Sequence, residues 1–444
     1  MDQPYQTFIF DAFSFEQSEG RIELRYSLDD TVKFLETIEL AGGLEYQQVP
    51  LEIMDRALLA LHLIGGTSYY KTCVPEQIAV RSGALFPPQV QFWNTVYEQG
   101  LAEFAYVNKL NLAGRIHFPG SKRPPLIDKK RPKDAGRILV PIGGGKDSLV
   151  TIEILRRAGF DVTLLRMGSH PLIDTLVEAI GLPVITVERT LSPELFALNE
   201  KGAMNGHVPV TAYLSFLSVL IALLYGFETI VMSNERSADE ENTQSNGNVV
   251  NHQWSKSFAF EQMCQAYIRD YITKDLRYFS LLRHIGELAV VRYFSTLPQY
   301  FDKVTSCNRN WRILKEQPSE RWCGECPKCA SSFALFAAFL PKEELLRIFG
   351  KNLFAETTLR IVYRELLGVE GIKPFECVAT VDEMRIAFLL AHERGDLDDT
   401  AMMQMFLADV LPLMKNPEAL KEHVLSPGSQ HAIPPEFLSA LHAH

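Results

Sequence analysis

The sequence predicts an α/β protein built on a doubly wound parallel sheet, with an α+β region before it and a helical region after it. Three observations carry this. The β-branched run Arg137-Ile138-Leu139-Val140-Pro141-Ile142 enters the turn Gly143-Gly144-Gly145, and Leu149, Ile152 and Leu155 then recur at helical spacing. From 137 onward strand-like and helix-like segments alternate, each connection long enough for a right-handed crossover. Between Val208 and Phe227 no charge occurs, the pattern of a crossover helix covered on all sides.

In chain order, Thr7–Phe10 and Arg21–Tyr26 flank Ser18-Glu19-Gly20 and read as a β-hairpin. Helical spacing around Ile53, Leu58, Leu61 and Leu63 ends at Gly65-Gly66, read as a C-cap. The following Thr67-Ser68-Tyr69-Tyr70-Lys71 is either a capping loop or a ligand-binding edge. Residues 114–137 hold four prolines and, after Pro119, seven Lys or Arg, the composition of a linker. Strands are then expected at 138–142, 161–166, 183–188 and 229–233, with helices at 148–157, 172–180 and 210–225. Helices return after Cys329 and around 381–393 and 399–414, and the tail from Pro427 is expected to fray. The expected domains are 1–125, 126–335 and 336–444.

Composition narrows the function class. The chain has 444 residues and a net charge of −10, which argues against a polyanion as its main partner, so no nucleic acid is expected. The start Met1-Asp2-Gln3-Pro4 has no basic segment followed by an apolar core, so a cytoplasmic location is expected. Val208–Phe227 approaches membrane-spanning length, but Pro209, Ser215, Ser218 and the adjoining Glu228 favour a buried helix, and no membrane partner is expected.

The glycine turn is the first candidate site. Three glycines let backbone N–H groups converge, and the new helix directs its free donors there, so an anion is the natural occupant. A Walker loop is excluded, since Val140 stands at its first glycine and Asp147 at its Ser/Thr; the dinucleotide fingerprint fails at Ser148. Ligands of such sheets sit beyond the carboxyl ends of the strands, which adds Met167-Gly168-Ser169 and Ser233-Asn234-Glu235-Arg236 to the same crevice. Asp239 to Glu241 are either solvated charge or magnesium ligands. His252 and Lys256, on the strand-end side, are candidates for substrate contact.

Of seven cysteines, Cys307, Cys323, Cys326 and Cys329 cluster with the spacing x15, x2, x2. Four thiolates suffice for a closed tetrahedral zinc site, with Gly324 and Pro327 in the turns; an iron–sulfur cluster is the competing use. The expected role is bracing. Cys73, Cys264 and Cys377 are scattered, and the thiol of Cys377 beside Lys373 and Glu376, or of Cys73 beside Lys71, is either inert or a proton carrier.

Gly144, Gly145, Asp147 and Ser148 resemble the Ser-Gly-Gly-x-Asp-Ser signature of the PP-loop (HUP-like) ATP pyrophosphatases, with Gly143 in place of the leading Ser. That resemblance implies ATP and Mg2+, adenylation of a substrate and release of diphosphate, with Gly143 to Ser148, Met167, Ser233 and Arg236 around the nucleotide. With Cys323-Gly-x-Cys326-x-x-Cys329 it is also similar to the deazaguanine-nitrile synthases, which adenylate a carboxylate but are much shorter. Leu61 to Lys71, Phe104 to Asn108 and Lys373 to Cys377 are similar to the MurL family, which epimerises the terminal glutamate of UDP-N-acetylmuramoyl-L-alanyl-L-glutamate. This family resemblance implies a muramoyl-dipeptide substrate and activation of its carboxylate by ATP, which would acidify Cα. Proton-transfer candidates are Cys377, Glu376 and His252, with Asp147 at the phosphates; Tyr69, Tyr70, Lys71, Lys256 and Lys373 are candidates for substrate contact. A ligase or amidase that adenylates a carboxylate would use the same front half.

Overall fold

The computed structural model describes residues 5–40, 46–121, 136–245, 247–311 and 320–442. The basic proline-rich stretch 122–135, and with it the expected boundary at 125, lies outside the described residues. Its strands are β1 Thr7–Glu16, β2 Arg21–Leu28, β3 Val32–Leu40, β4 Gln77–Val80, β5 Arg137–Pro141, β6 Asp161–Met167, β7 Val184–Thr190, β8 Thr229–Met232, β9 Thr243–Ser245, β10 Asn248–Val250 and β11 Arg277–Ser280. Nine of them form one sheet in the order β11-β8-β5-β6-β7-β3-β2-β1-β4. From β11 to β7 all pairs are parallel, as the alternating pattern predicts.

The sheet does not stop where the parallel part ends. β3, which the sequence reading missed, pairs antiparallel with β7, with Ile38 opposite Arg189, so the hairpin region extends the same sheet. Tertiary pairing outweighed the local signal, because β3 carries Glu36 in its apolar stripe between Phe34 and Ile38. Glu36 is fully buried, and its carboxylate is matched by the Arg189 guanidinium at 2.8 and 3.0 Å and by the Tyr69 and Tyr213 hydroxyls at 3.0 and 2.9 Å. A buried carboxylate persists only with such partners, and Arg189 lies on β7, so the ion pair ties the antiparallel strands to the parallel ones.

Both faces of the parallel strands are covered. Ile138 and Val140 of β5 point into one core with Val162 and Leu164, while Leu139 points into the other with Leu165 and Ile230, the period-two alternation of a strand. Helices Leu51–Gly65, Pro87–Gly100 and Val210–Leu224 build the second core; helices Lys146–Arg157, Glu287–Phe294, Pro327–Ala337 and Val381–Arg394 build the first. Among the described residues no helix is long and apolar enough to cross a membrane.

One expectation holds with a difference and one is corrected here. Helix Leu51–Gly65 ends where expected, with Gly66 as its C-cap, but Gly66 is right-handed, with φ −56°, and the chain continues directly into the turn of helix Thr67–Tyr70. These glycines serve close approach: a Cβ at Gly65 would lie 2.5 Å from the Tyr26 hydroxyl and one at Gly66 2.4 Å from the Phe10 ring. The tail also does not fray: helix Pro435–His442 stacks Phe437 on Phe160, ring centroids 4.6 Å apart at 9°.

Candidate active site

β5 delivers the chain to its carboxyl edge, where Gly143 to Gly145 turn it into helix Lys146–Arg157. The three glycines are not equivalent. Gly143 is exposed with nothing near a Cβ position, whereas a Cβ at Gly144 would lie 2.6 Å from the Trp311 ring and 3.1 Å from the Thr305 carbonyl. Thr305 N–H also donates to the Gly144 carbonyl at 2.8 Å, so residues 305–311 lie over the turn. Gly144 must be small for packing, a Cβ at Gly145 would lie 3.2 Å from Ser306 Oγ, and Gly143 has room for a side chain.

Beyond the turn lies a chain of charges. The buried Lys146 ammonium lies 2.8 Å from both Asp147 and Glu287. Burial alone would favour the neutral amine, but these carboxylates, with Glu235, outweigh it and keep the ammonium charged. Glu287 also accepts from Lys328 at 3.2 Å; burial opposes its ionisation, and the two lysines overcome that and lower its pKa. Lys328 Nζ reaches onward to the Cys377 carbonyl. Lys146, Glu287 and Lys328 thus join the glycine turn to Cys377 through direct hydrogen bonds.

Cys377 is half-buried, and its sulfur accepts from Lys256 Nζ at 3.3 Å. Burial would raise its pKa; Lys256 and His252, with Lys328, bring it down to about 5. Lys256 is correspondingly held charged, the thiolate outweighing burial. His252 bonds to Glu103 through Nδ1. Burial disfavours its cation, but the bonds to Cys377 and Glu103 raise it to about 9.

The other expected site residues fall into three groups. Ser148 Oγ donates to the Gly145 carbonyl at 3.2 Å, and Met167 and Ser233 lie half-buried at the ends of β6 and β8. Ser233 Oγ and Glu235 Oε2 are buried with no hydrogen-bond partner there. Arg236 faces elsewhere: its guanidinium donates to the Ser426 and Val424 carbonyls at 3.1 and 3.3 Å and pins helix Pro417–Leu425. Tyr69 and Tyr70 are buried in the core, with their hydroxyls bonded to Glu36 and to the Pro75 carbonyl. Lys71 donates to Asn205 and to the Gly206 carbonyl, and burial lowers its pKa to about 8. Lys373 is ion-paired with Glu240 at 2.5 Å, and Asp239 accepts from the Phe258 N–H at 2.7 Å, so these acids serve the fold. Glu376 accepts from the Lys328 N–H at 2.6 Å and anchors the start of helix Pro327–Ala337. Cys73 and Cys264 are buried, and burial raises both thiols.

The sulfurs of Cys307, Cys323, Cys326 and Cys329 all lie within 4.8 Å of one another, a grouping that could hold a metal ion. Cys323 and Cys329 are 3.7 Å apart, near the roughly 3.8 Å edge of a tetrahedron with 2.3 Å metal–sulfur bonds. Helix Pro327–Ala337 starts within this cluster and carries Lys328 into the charge chain.

Glu103, His207 and Glu287 were missed because each sits in a segment with no motif of its own, and Lys328 because the motif around it points to its thiols. The signal available was indirect: Glu103 adjoins Phe104–Asn108, and Lys328 lies between two cysteines. Tyr106 meets Phe375 with ring centroids 5.3 Å apart, so stretches some 270 residues apart in sequence close on each other.

The chain matches the MurL N-terminal domain over residues 1–281 and the MurL C-terminal domain over 303–421. It is 40% identical over 441 residues to the UDP-N-acetyl-alpha-D-muramoyl-L-alanyl-L-glutamate epimerase of Xanthomonas oryzae pv. oryzae, covering 99% of this chain and 97% of that protein. Proteins of the same name from a Micromonospora species and from Salinispora tropica are each 38% identical, covering 98% of this chain and 97% and 95% of their own lengths. Matched by both domains over most of its length, the chain belongs to the MurL family of epimerases and is an enzyme of the isomerase class.

Proposed function

We propose that this enzyme inverts the terminal L-glutamate of UDP-N-acetylmuramoyl-L-alanyl-L-glutamate to D-glutamate at the expense of ATP, as a step in making cell-wall precursor. The observation that carries the reading is the continuous charge chain from the glycine turn through Lys146, Glu287 and Lys328 to Cys377. It supports the reading by linking the glycine turn to a thiol whose pKa its cationic neighbours lower.

In this reading the substrate carboxylate attacks the α-phosphate of ATP, diphosphate leaves, and an acyl adenylate forms. The turn donors and Lys146 stabilise the departing charge. Adenylation removes the negative charge beside Cα and supplies an acyl group that accepts electrons. The Cα–H bond then breaks, an S–H bond forms on Cys377, and the electron pair enters the activated carbonyl. Lys256 holds the thiolate ready. Protonation from the opposite face gives the D centre, and water releases AMP. His252, charged and beside the thiol, is the candidate for the returning proton.

Magnesium would be held by Asp147 and Glu235, and would neutralise charge on the phosphates. Glu235 fits: its Oε2 is buried without a partner at the end of β8, and burial with the nearby Asp147 raises its pKa to about 7. Zinc would be held by the four clustered cysteines as a structural brace. The protein would work without nucleic acid or membrane, in the cytoplasm.

The test is incubation with ATP and the muramoyl dipeptide in D2O. Expected are AMP and diphosphate, a D-configured glutamate and one solvent deuteron at Cα. Inversion without nucleotide overturns the activation step, and a gain in substrate mass beyond one deuteron points to a ligase or amidase.

A further inference from the structure

Glu103 has no role in the mechanism above, yet it occupies an unusual position. It lies in the short helix Ala102–Val107 of the N-terminal region, half-buried, and faces two imidazoles: His252 Nδ1 in a short hydrogen bond and His207 Nδ1 at 3.5 Å. The two rings are 4.6 Å apart. Since Nδ1 of His252 faces Glu103, Nε2 is the nitrogen left for the Cys377 sulfur. The order in space is carboxylate, imidazole, thiol.

We propose that Glu103 is a positioning residue that fixes the tautomer and charge of His252 and thereby keeps Cys377 as a thiolate. A carboxylate on one imidazole nitrogen directs the proton there and stabilises the imidazolium when the other nitrogen meets an anion. Charged groups from several elements face this line. Cys377 is flanked by Lys256 and Lys328 as well as His252, Glu376 lies near His252, and Lys71 adds positive charge near His207. His207 is held neutral, down to about 4, by burial and by the charge on His252, so the two rings share one carboxylate without both being cations.

Glu103, His207 and His252 also have the composition and closeness of a metal site. Local charge argues for the proton instead: Lys71 and Lys256 are both within electrostatic reach of His207, and a dication would add to that repulsion. The inference rests, for its effect on turnover, on the reading of Cys377 as the proton-transfer group.

The experiment uses the full-length enzyme and two readouts. The pH dependence of iodoacetamide alkylation at Cys377, followed by peptide mapping, reports the thiolate; deuterium uptake at the glutamyl Cα reports the reaction. Glu103→Gln is expected to move the alkylation midpoint, about 5 in the wild type, up by about one pH unit or more and to slow uptake at pH 6 by about twofold or more, while changing the KM for ATP by less than about threefold. Glu103→Asp should restore part of the shift, which a merely structural role would not predict. A Glu103→Gln midpoint within about 0.2 unit of wild type overturns the proposal. So does loss of one equivalent of bound metal in His207→Gln. If Glu103→Gln shifts the midpoint while Cys377→Ser still exchanges at Cα, the positioning role stands and the proton-transfer reading falls.

Discussion

The glycine turn and the Cys377 corner are built in opposite ways. The turn is local: consecutive residues 143–148 join a strand to a helix, and the geometry follows from chain order. The corner is assembled from Glu103, Lys256, His252, Lys328 and Cys377, which come from four distant stretches of the chain. The turn presents backbone donors and a buried lysine among carboxylates. The corner presents a thiolate among cations. The turn's proposed task, holding an anion, tolerates local construction because backbone N–H groups need only the right turn. A tuned thiol needs charges brought in from elsewhere, because burial by itself raises its pKa.

The sharpest break in that comparison is Cys377→Ser, which should cut deuterium uptake at Cα by about 10³-fold and leave ATP binding intact, since the turn is formed without it. Equilibrium dialysis with ATP and mass spectrometry of the recovered dipeptide read the two ends separately. Lys146→Met should act at the other end. It strips the turn of its charge and leaves buried Glu287 with Lys328 alone, costing about 3 kcal/mol in denaturant unfolding and reducing AMP formation by about 10²-fold.

The pH profile of exchange sharpens the contrast further. Cys377 is held at about 5 and His252 at about 9. In the proposed mechanism the active pair is thiolate with imidazolium, so the rate should be flat between those values. It should fall about tenfold per unit below pH 5, as the thiol regains its proton, and fall again above pH 9, as His252 loses its own. The smallest effect belongs to the turn. Gly143→Ser restores the hydroxyl of the related signature at a position with open space, and kcat/KM should stay within about twofold of wild type. Gly144→Ala meets Trp311 and should lower the melting temperature, measured calorimetrically.

Legibility followed the same divide. The parallel strands, the crossover helices and the grouping of Cys307 with Cys323, Cys326 and Cys329 were readable, because each is encoded by periodicity or spacing over a short window. Tyr69 and Tyr70 were misread as a possible ligand edge: phenols after a helix look the same in sequence whether they face a cleft or, as here, bond to Glu36 and Pro75 inside the core. Arg236 was read from its strand-end position alone, and the helix Pro417–Leu425 that claims its guanidinium is 180 residues away. Glu287 had no signal and Lys328 only its place between two cysteines, since a charged residue at a helix start is ordinary until its partner is known.

What the sequence determined by itself is therefore the strand, glycine turn and helix with their free backbone donors, and the four thiols able to share one ion, because hydrogen-bond direction and ligand spacing are set by neighbours along the chain. What only the tertiary structure decided is the joining of β3 to β7 in one sheet, and the meeting of Glu103, His252, Lys256 and Cys377. Strand edges and charges of opposite sign attract across any separation in sequence, and which of them meet is fixed only when both cores have closed.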